Sequence, residues 1–118
     1  MLFSFLFIFR INLSGLNENF VKMSRLPNVG VFGSNSKSEY LVNCLIKNGF
    51  KVTAIWSDCI EEARSFAKRF RIDFYTDKID VLLLKKEVEL ILINCQQIHY
   101  VQIVTKAFRI GKLLFFQN

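Results

Sequence analysis

From Asn28 onward the chain alternates short apolar runs with segments whose apolar residues recur at helical spacing. Val29–Phe32 is an apolar run that turns at Gly33 and reads as a first strand. Ser36-Lys-Ser-Glu39 has the spacing of a capping box, the serine accepting an N–H three residues on and the glutamate reaching back. Leu41, Val42, Leu45 and Ile46 then mark one face of a helix that Asn48-Gly49 stops. Lys51–Trp56 reads as a second strand. Asp58-Cys-Ile-Glu61 repeats the capping spacing with an aspartate. Ala63, Phe66, Ala67 and Phe70 follow at i, i+3, i+4 and i+7, which predicts a buried helical stripe. Phe74–Thr76 is a short third strand and Asp80–Leu84 a short helix. Leu90–Ile93 is a fully apolar fourth strand, as the centre of a parallel sheet requires. A last helix from Ile98 to Ile110 ends at Gly111, and Leu113–Phe116 is a fifth strand.

Alternating strands and helices imply a parallel sheet with crossover helices. Right-handed crossovers then leave few arrangements besides the one expected: an α/β, Rossmann-like doubly wound sheet ordered 3-2-1-4-5, with strand one central. Val31 and Ile93 are expected to be neighbours deep in its core. At 118 residues the chain has room for one domain.

Residues 1–25 fall outside this pattern and read as a hydrophobic N-terminal extension, leaving 26–118 as the domain. Leu2–Phe9 is apolar but far shorter than the roughly 20 residues a membrane span needs. No basic residue precedes it, Arg10 follows it directly, and Ser14-Gly15 is a poor cleavage site. The segment is therefore expected to be poorly packed or loosely helical and dispensable for stability. A secreted protein remains the alternative if residues 1–15 act as an atypical signal.

Hydrophobic content of 52% excludes a disordered chain. The net charge of +6 raises nucleic-acid binding, but the basic residues are spread out. Their one cluster, Arg64 to Arg71, sits in the last turns of a predicted helix, where cations suit the dipole and face solvent. No nucleic-acid partner is expected. Cys44, Cys59 and Cys95 are odd in number and widely spaced, which fits a reduced, cytoplasmic setting better than a disulfide scaffold.

Candidate chemistry gathers at the predicted strand ends. The three glycine positions of the dinucleotide fingerprint G-x-G-x-x-G hold Gly33, Asn35 and Ser38, so two of the three glycines are missing. The turn glycine is present, Asn35 puts a side chain where backbone would approach a pyrophosphate, and Ser38 is small enough for close helix packing. Gly33, Ser34 and Asn35 are thus candidates to cradle a phosphate, against the simpler role of a capped strand-to-helix turn. Ser57 and Asp58 follow strand two, where dinucleotide folds place a ribose-binding acid. Asp58 has a competing and preferred role as helix N-cap. Trp56 could flank an adenine or simply pack. Asn94 and Cys95 lie beyond strand four, at the edge where open sheets bind ligands. Cys95 and His99 have dyad spacing, but no acid is placed to orient the only histidine, so no catalytic residue is assigned. Two soft ligands are too few for a metal.

Several passages together carry a family resemblance: Leu26 to Gly33, Ala54 to Trp56, Glu61 to Ala63 with Phe66 to Lys68, and Phe74 to Thr76 followed by Ile79-Asp80. Ile93-Asn94 and Ile110 to Lys112 agree. The chain resembles the N-terminal domain of the Gfo/Idh/MocA oxidoreductases, nearest to the glucose-fructose oxidoreductase domain-containing proteins of animals. The resemblance implies a Rossmann domain that holds NAD or NADP, truncated here before a C-terminal α/β domain that supplies substrate site and oligomer interface. It also implies a natural start near Met23. In active relatives the fifth strand runs into Glu-Lys-Pro, and Gln117 and Asn118 occupy the matching positions here. Two functions are therefore weighed: a dinucleotide-binding fragment inactive alone, or a non-catalytic binding or regulatory protein of the same descent that has lost its cofactor.

Overall fold

A computed structural model of the chain describes residues 26–116. The expectations for the N-terminal extension, for Met23 and for Gln117 and Asn118 lie outside the described residues.

Five parallel strands form one sheet: β1 (Val29–Phe32), β2 (Val52–Trp56), β3 (Phe74–Thr76), β4 (Leu90–Ile93) and β5 (Leu113–Phe116), in the order β3-β2-β1-β4-β5. Four helices connect them: α1 (Ser36–Lys47), α2 (Ile60–Phe70), α3 (Ile79–Leu83) and α4 (Gln97–Arg109). This is the predicted order. β1, β2 and β4 are buried along their whole length, because helices cover both faces of the sheet.

Two apolar layers fill those faces. Val29, Val31, Ile55, Leu90 and Leu92 pack with Leu41, Val42 and Leu45 of α1 and Phe66 and Ala67 of α2. Phe32, Ala54, Trp56, Ile91 and Ile93 pack on the other side with Leu82 and Leu83 of α3 and Ile103 and Ala107 of α4. Val31 pairs with Leu92 and Phe32 with Ile93. The expectation that Val31 and Ile93 are neighbours is thus off by one register position. Both are fully buried, but a one-residue step along a strand sends the side chain to the opposite face.

Three local expectations are corrected. The cap of α1 is Asn35 rather than Ser36, its side chain accepting from Ser38 N. The cap of α2 is Cys59, without a side-chain hydrogen bond, and not Asp58, which is exposed. Ile46 is 45% exposed, and Ser38 and Cys44 take up the buried face of α1 instead. The two glycine stops are as expected: Gly49 and Gly111 have φ of 89° and 76°. α2 ends instead on Arg71 in the left-handed region, at φ 57°.

Candidate binding cleft

The carboxyl ends of β1, β2 and β4 converge on one cleft of about 320 Å³. It sits where the strand order reverses, between β1 and β4, the place where open α/β sheets bind ligands. Gly33, Ser34, Asn35, Trp56, Ser57, Asp58, Asn94 and Cys95 all line it. Sequence positions spread over three strand ends are thereby brought to a single surface. Glu62, Gln96 and His99 complete the wall.

Gly33 has φ of 126° and donates its N–H to the Trp56 carbonyl at 2.9 Å. A Cβ there would lie 1.9 Å from the Asn94 carbonyl oxygen, so only glycine lets β1 turn beside the end of β4. Asn35 accepts from Ser38 N at 2.9 Å and from Asn94 Nδ2 at 3.0 Å, and donates to the Asn94 carbonyl at 3.2 Å. Asn94 Nδ2 also reaches Ser38 Oγ at 3.1 Å. The side chain at the second fingerprint position therefore braces the turn. Among the described residues, no acceptor meets the backbone N–H of Ser34 or Asn35.

At the β2 side, Ser34 Oγ lies 3.0 Å from Ser57 Oγ, and each hydroxyl lies 3.4 Å from Glu62 Oε2. Ser57 is buried, and its hydroxyl also accepts from Cys59 N at 3.4 Å. Trp56 is 3% exposed, with its ring 5.7 Å from Phe32 and edge-on to His99 at 5.0 Å. Its indole N–H is buried without a hydrogen-bond partner. A second cleft of about 360 Å³, bounded by Asp77 to Val81 and Gln102, adjoins the first and shares Trp56, Asp58 and His99 with it.

Cys95 and His99 make no hydrogen bond to one another among the described residues, the imidazole meeting Trp56 instead. Burial, with the Asp58 charge adding to it, pushes the Cys95 thiol from 9.0 up to about 11. A thiol so protonated is a poor nucleophile at neutral pH, and the spacing does not make a dyad. Glu62 escaped sequence reasoning because its role depends on a helix folding back over two strand ends. Its position in the first turn after β2 was the available signal.

The family model for the oxidoreductase family with NAD-binding Rossmann fold matches residues 27–117. The chain belongs to this family, Gfo/Idh/MocA. It is 43% identical over 90 residues to glucose-fructose oxidoreductase domain-containing protein 2 of Bos taurus, covering 76% of this chain and 23% of that protein. It is 41% identical over 87 residues to glucose-fructose oxidoreductase domain-containing protein 1 of Xenopus tropicalis, covering 74% of this chain and 22% of that one. The chain thus spans about a quarter of the length of these relatives. In fold it is similar to myo-inositol dehydrogenase from Lactobacillus casei, solved with NAD(H) and myo-inositol. The TM-score is 0.71 at 19% identity, over 77% of this chain and 28% of that one. Among the described residues, no helix is long and apolar enough to cross a membrane.

Proposed function

We propose that the cleft binds a nicotinamide dinucleotide as the cofactor half of an oxidoreductase. In this reading the pyrophosphate lies against Gly33, Ser34 and Asn35, where the unpaired N–H groups of Ser34 and Asn35 stand at the start of α1. The adenosine extends past Trp56, Ser57 and Asp58 toward the second cleft, and the nicotinamide lies near Asn94 and Cys95. The observation that carries it is the convergence of all eight residues on the β1/β4 switch point of a domain whose family is NAD-binding. The orphaned Trp56 N–H in the same wall fits a site that has a ligand to satisfy it.

A bound nicotinamide would accept or give a hydride. This chain's own residues would hold and orient it. Hydride transfer also needs a substrate and an acid–base group held at reacting distance. Cys95 stays protonated, His99 faces Trp56, and Gln117 and Asn118 stand where the resemblance implies a Glu-Lys pair. The chain alone is therefore inactive, and in a longer form a C-terminal domain supplies substrate and oligomer contacts. Free Cys44, Cys59 and Cys95 support a reducing compartment such as the cytoplasm.

Asn35 at the second fingerprint position favours the other reading, a binding protein of the same descent without a cofactor. Titration of NAD(H) and NADP(H) while following melting temperature separates the two. A ligand at about 100 times its Kd stabilises the native state by about 2.7 kcal/mol. A rise in melting temperature, with quenching of the single tryptophan, supports the dinucleotide reading. No response at millimolar cofactor supports the cofactor-free one.

A further inference from the structure

We propose that Glu62 is the carboxylate that meets the adenosine ribose, so that this domain takes NAD and rejects NADP. The inference rests on the dinucleotide reading above. In dinucleotide folds an acid after the second strand bonds the ribose hydroxyls, and a nearby arginine is used where a 2′-phosphate must be held. Here the residue that follows β2 is Ser57, a buried hydroxyl. Glu62 restores the missing charge from the first turn of α2. Its Oε2 lies 3.4 Å from the hydroxyls of both Ser34 and Ser57, which fixes the carboxylate over the ends of β1 and β2.

Two observations point this carboxylate at a ligand. Its Oε1 has no hydrogen-bond partner and the group has no cationic partner among the described residues. Trp56, which lines the same cleft, has a buried indole N–H without a hydrogen-bond partner among the described residues. No lysine or arginine lines the cleft, although the whole chain carries a net charge of +6. A 2′-phosphate beside Glu62 would meet like charge, and the lysine of the neighbouring space, Lys78, lines the second cleft and not this one.

Asp58 is the rival acid. It makes no hydrogen bond among the described residues, and its charge is felt by Cys95, at the end of β4. It follows Ser57 directly and lines both clefts with no partner to hold it, whereas Glu62 is held by the Ser34 and Ser57 hydroxyls at the ends of β1 and β2.

The test is the ratio of Kd for NADP⁺ to Kd for NAD⁺, read by tryptophan quenching on the full chain. Wild type is compared with Glu62→Gln and with Glu61→Gln, a neighbouring exposed acid outside the cleft that pairs with Arg64. The expected wild-type ratio is about tenfold or more in favour of NAD⁺, a difference of about 1.4 kcal/mol. Glu62→Gln is expected to weaken NAD⁺, strengthen NADP⁺ and bring the ratio close to unity, with melting temperature unchanged because the side chain is exposed. Glu61→Gln is expected to leave the ratio as it is, which separates a contact from a general charge effect. The proposal is overturned if NAD⁺ binds and Glu62→Gln leaves the ratio unmoved. It is overturned equally if wild type prefers NADP⁺, or if Asp58→Asn moves the ratio more than Glu62→Gln does. Absence of binding by either nucleotide to wild type defeats the dinucleotide reading itself, and this inference with it.

Discussion

Asn35 and Asn94, 59 positions apart in the chain, exchange hydrogen bonds in both directions across the carboxyl edge of the sheet. The Asn35 amide donates to the Asn94 carbonyl, and the Asn94 amide donates back to Asn35 Oδ1 and to Ser38. The same Asn35 oxygen caps α1. One side chain thereby closes a helix end and ties β1 to β4 at the floor of the cleft. A glycine in its place would leave the helix N–H groups freer for a phosphate and lose the brace.

Asn35→Ala removes the cap and both bridging bonds, and should lower stability by about 1–3 kcal/mol in urea denaturation. Asn94→Ala should cost a similar amount. The double variant should fall short of the sum by about 1 kcal/mol, since each single change already breaks the bond from Asn94 Nδ2 to Asn35 Oδ1, whereas the bond to the Asn94 backbone carbonyl is lost only with Asn35. Simple additivity would mean that the two amides do not act together.

Gly33→Ala should be far more damaging than its single methyl group suggests. The new Cβ would meet a backbone oxygen at 1.9 Å, and φ of 126° is strained for any L side chain. The expected loss exceeds about 3 kcal/mol, enough to leave little folded protein. Gly30→Ala would meet only side-chain tips, Val88 Cγ1 at 2.7 Å and Leu82 Cδ2 at 2.8 Å, and should cost about 1–3 kcal/mol by overpacking. Thermal melts of the two variants decide this. Loss of dinucleotide binding in a Gly33 variant is not evidence about the ligand, because the fold goes first.

The sheet was legible because its signals are periodic and redundant. Leu90–Ile93 has no polar residue, and Ala63, Phe66, Ala67 and Phe70 repeat at helical spacing, so neighbouring positions agree with one another. Caps were not legible, because Ser34, Asn35 and Ser36 can all cap a helix and the choice depends on Asn94, which no local pattern reveals. Polar Ser38 hid the true phase of α1: with Leu41, Val42 and Leu45 it makes an i, i+3, i+4, i+7 face that leaves Ile46 outside. The eight candidate residues did reach one cleft, since a doubly wound sheet sends every strand end to the same edge. Glu62 came from a helix, and strand ends could not announce it.

The three cysteines should separate by pH. Cys59 is exposed, Cys44 is buried, and Cys95 is held at about 11 by burial and then by Asp58. At pH 7.5 iodoacetamide should modify Cys59 first, with Cys95 reacting appreciably only above about pH 10, as read by peptide mass spectrometry. The sign for stability follows. Between 9.0 and about 11 the native state keeps a proton that the unfolded chain has lost, so stability falls as pH rises through that window. Asp58→Asn should lower the Cys95 value, and a rise instead would contradict the assigned cause.

The outer face of α4 makes a further, separable prediction. Ile98, Val101 and Phe108 are 79%, 76% and 79% exposed, whereas Ile103 and Ala107 on the same helix are fully buried. An apolar stripe of this kind favours self-association, since burying it against another surface releases ordered water. Replacing Ile98 and Val101 with Gln and Phe108 with Lys should leave the melting temperature nearly unchanged, because surface substitutions usually stay within about 0.5 kcal/mol each. Light scattering at rising concentration should show less association for the triple variant than for wild type. The buried face supplies the contrast: Ile103→Ala opens a cavity beneath β4 and should cost about 2–5 kcal/mol. If the triple variant loses stability on that scale instead, the stripe is packed against part of this same chain, and its exposure among the described residues is not its state in solution.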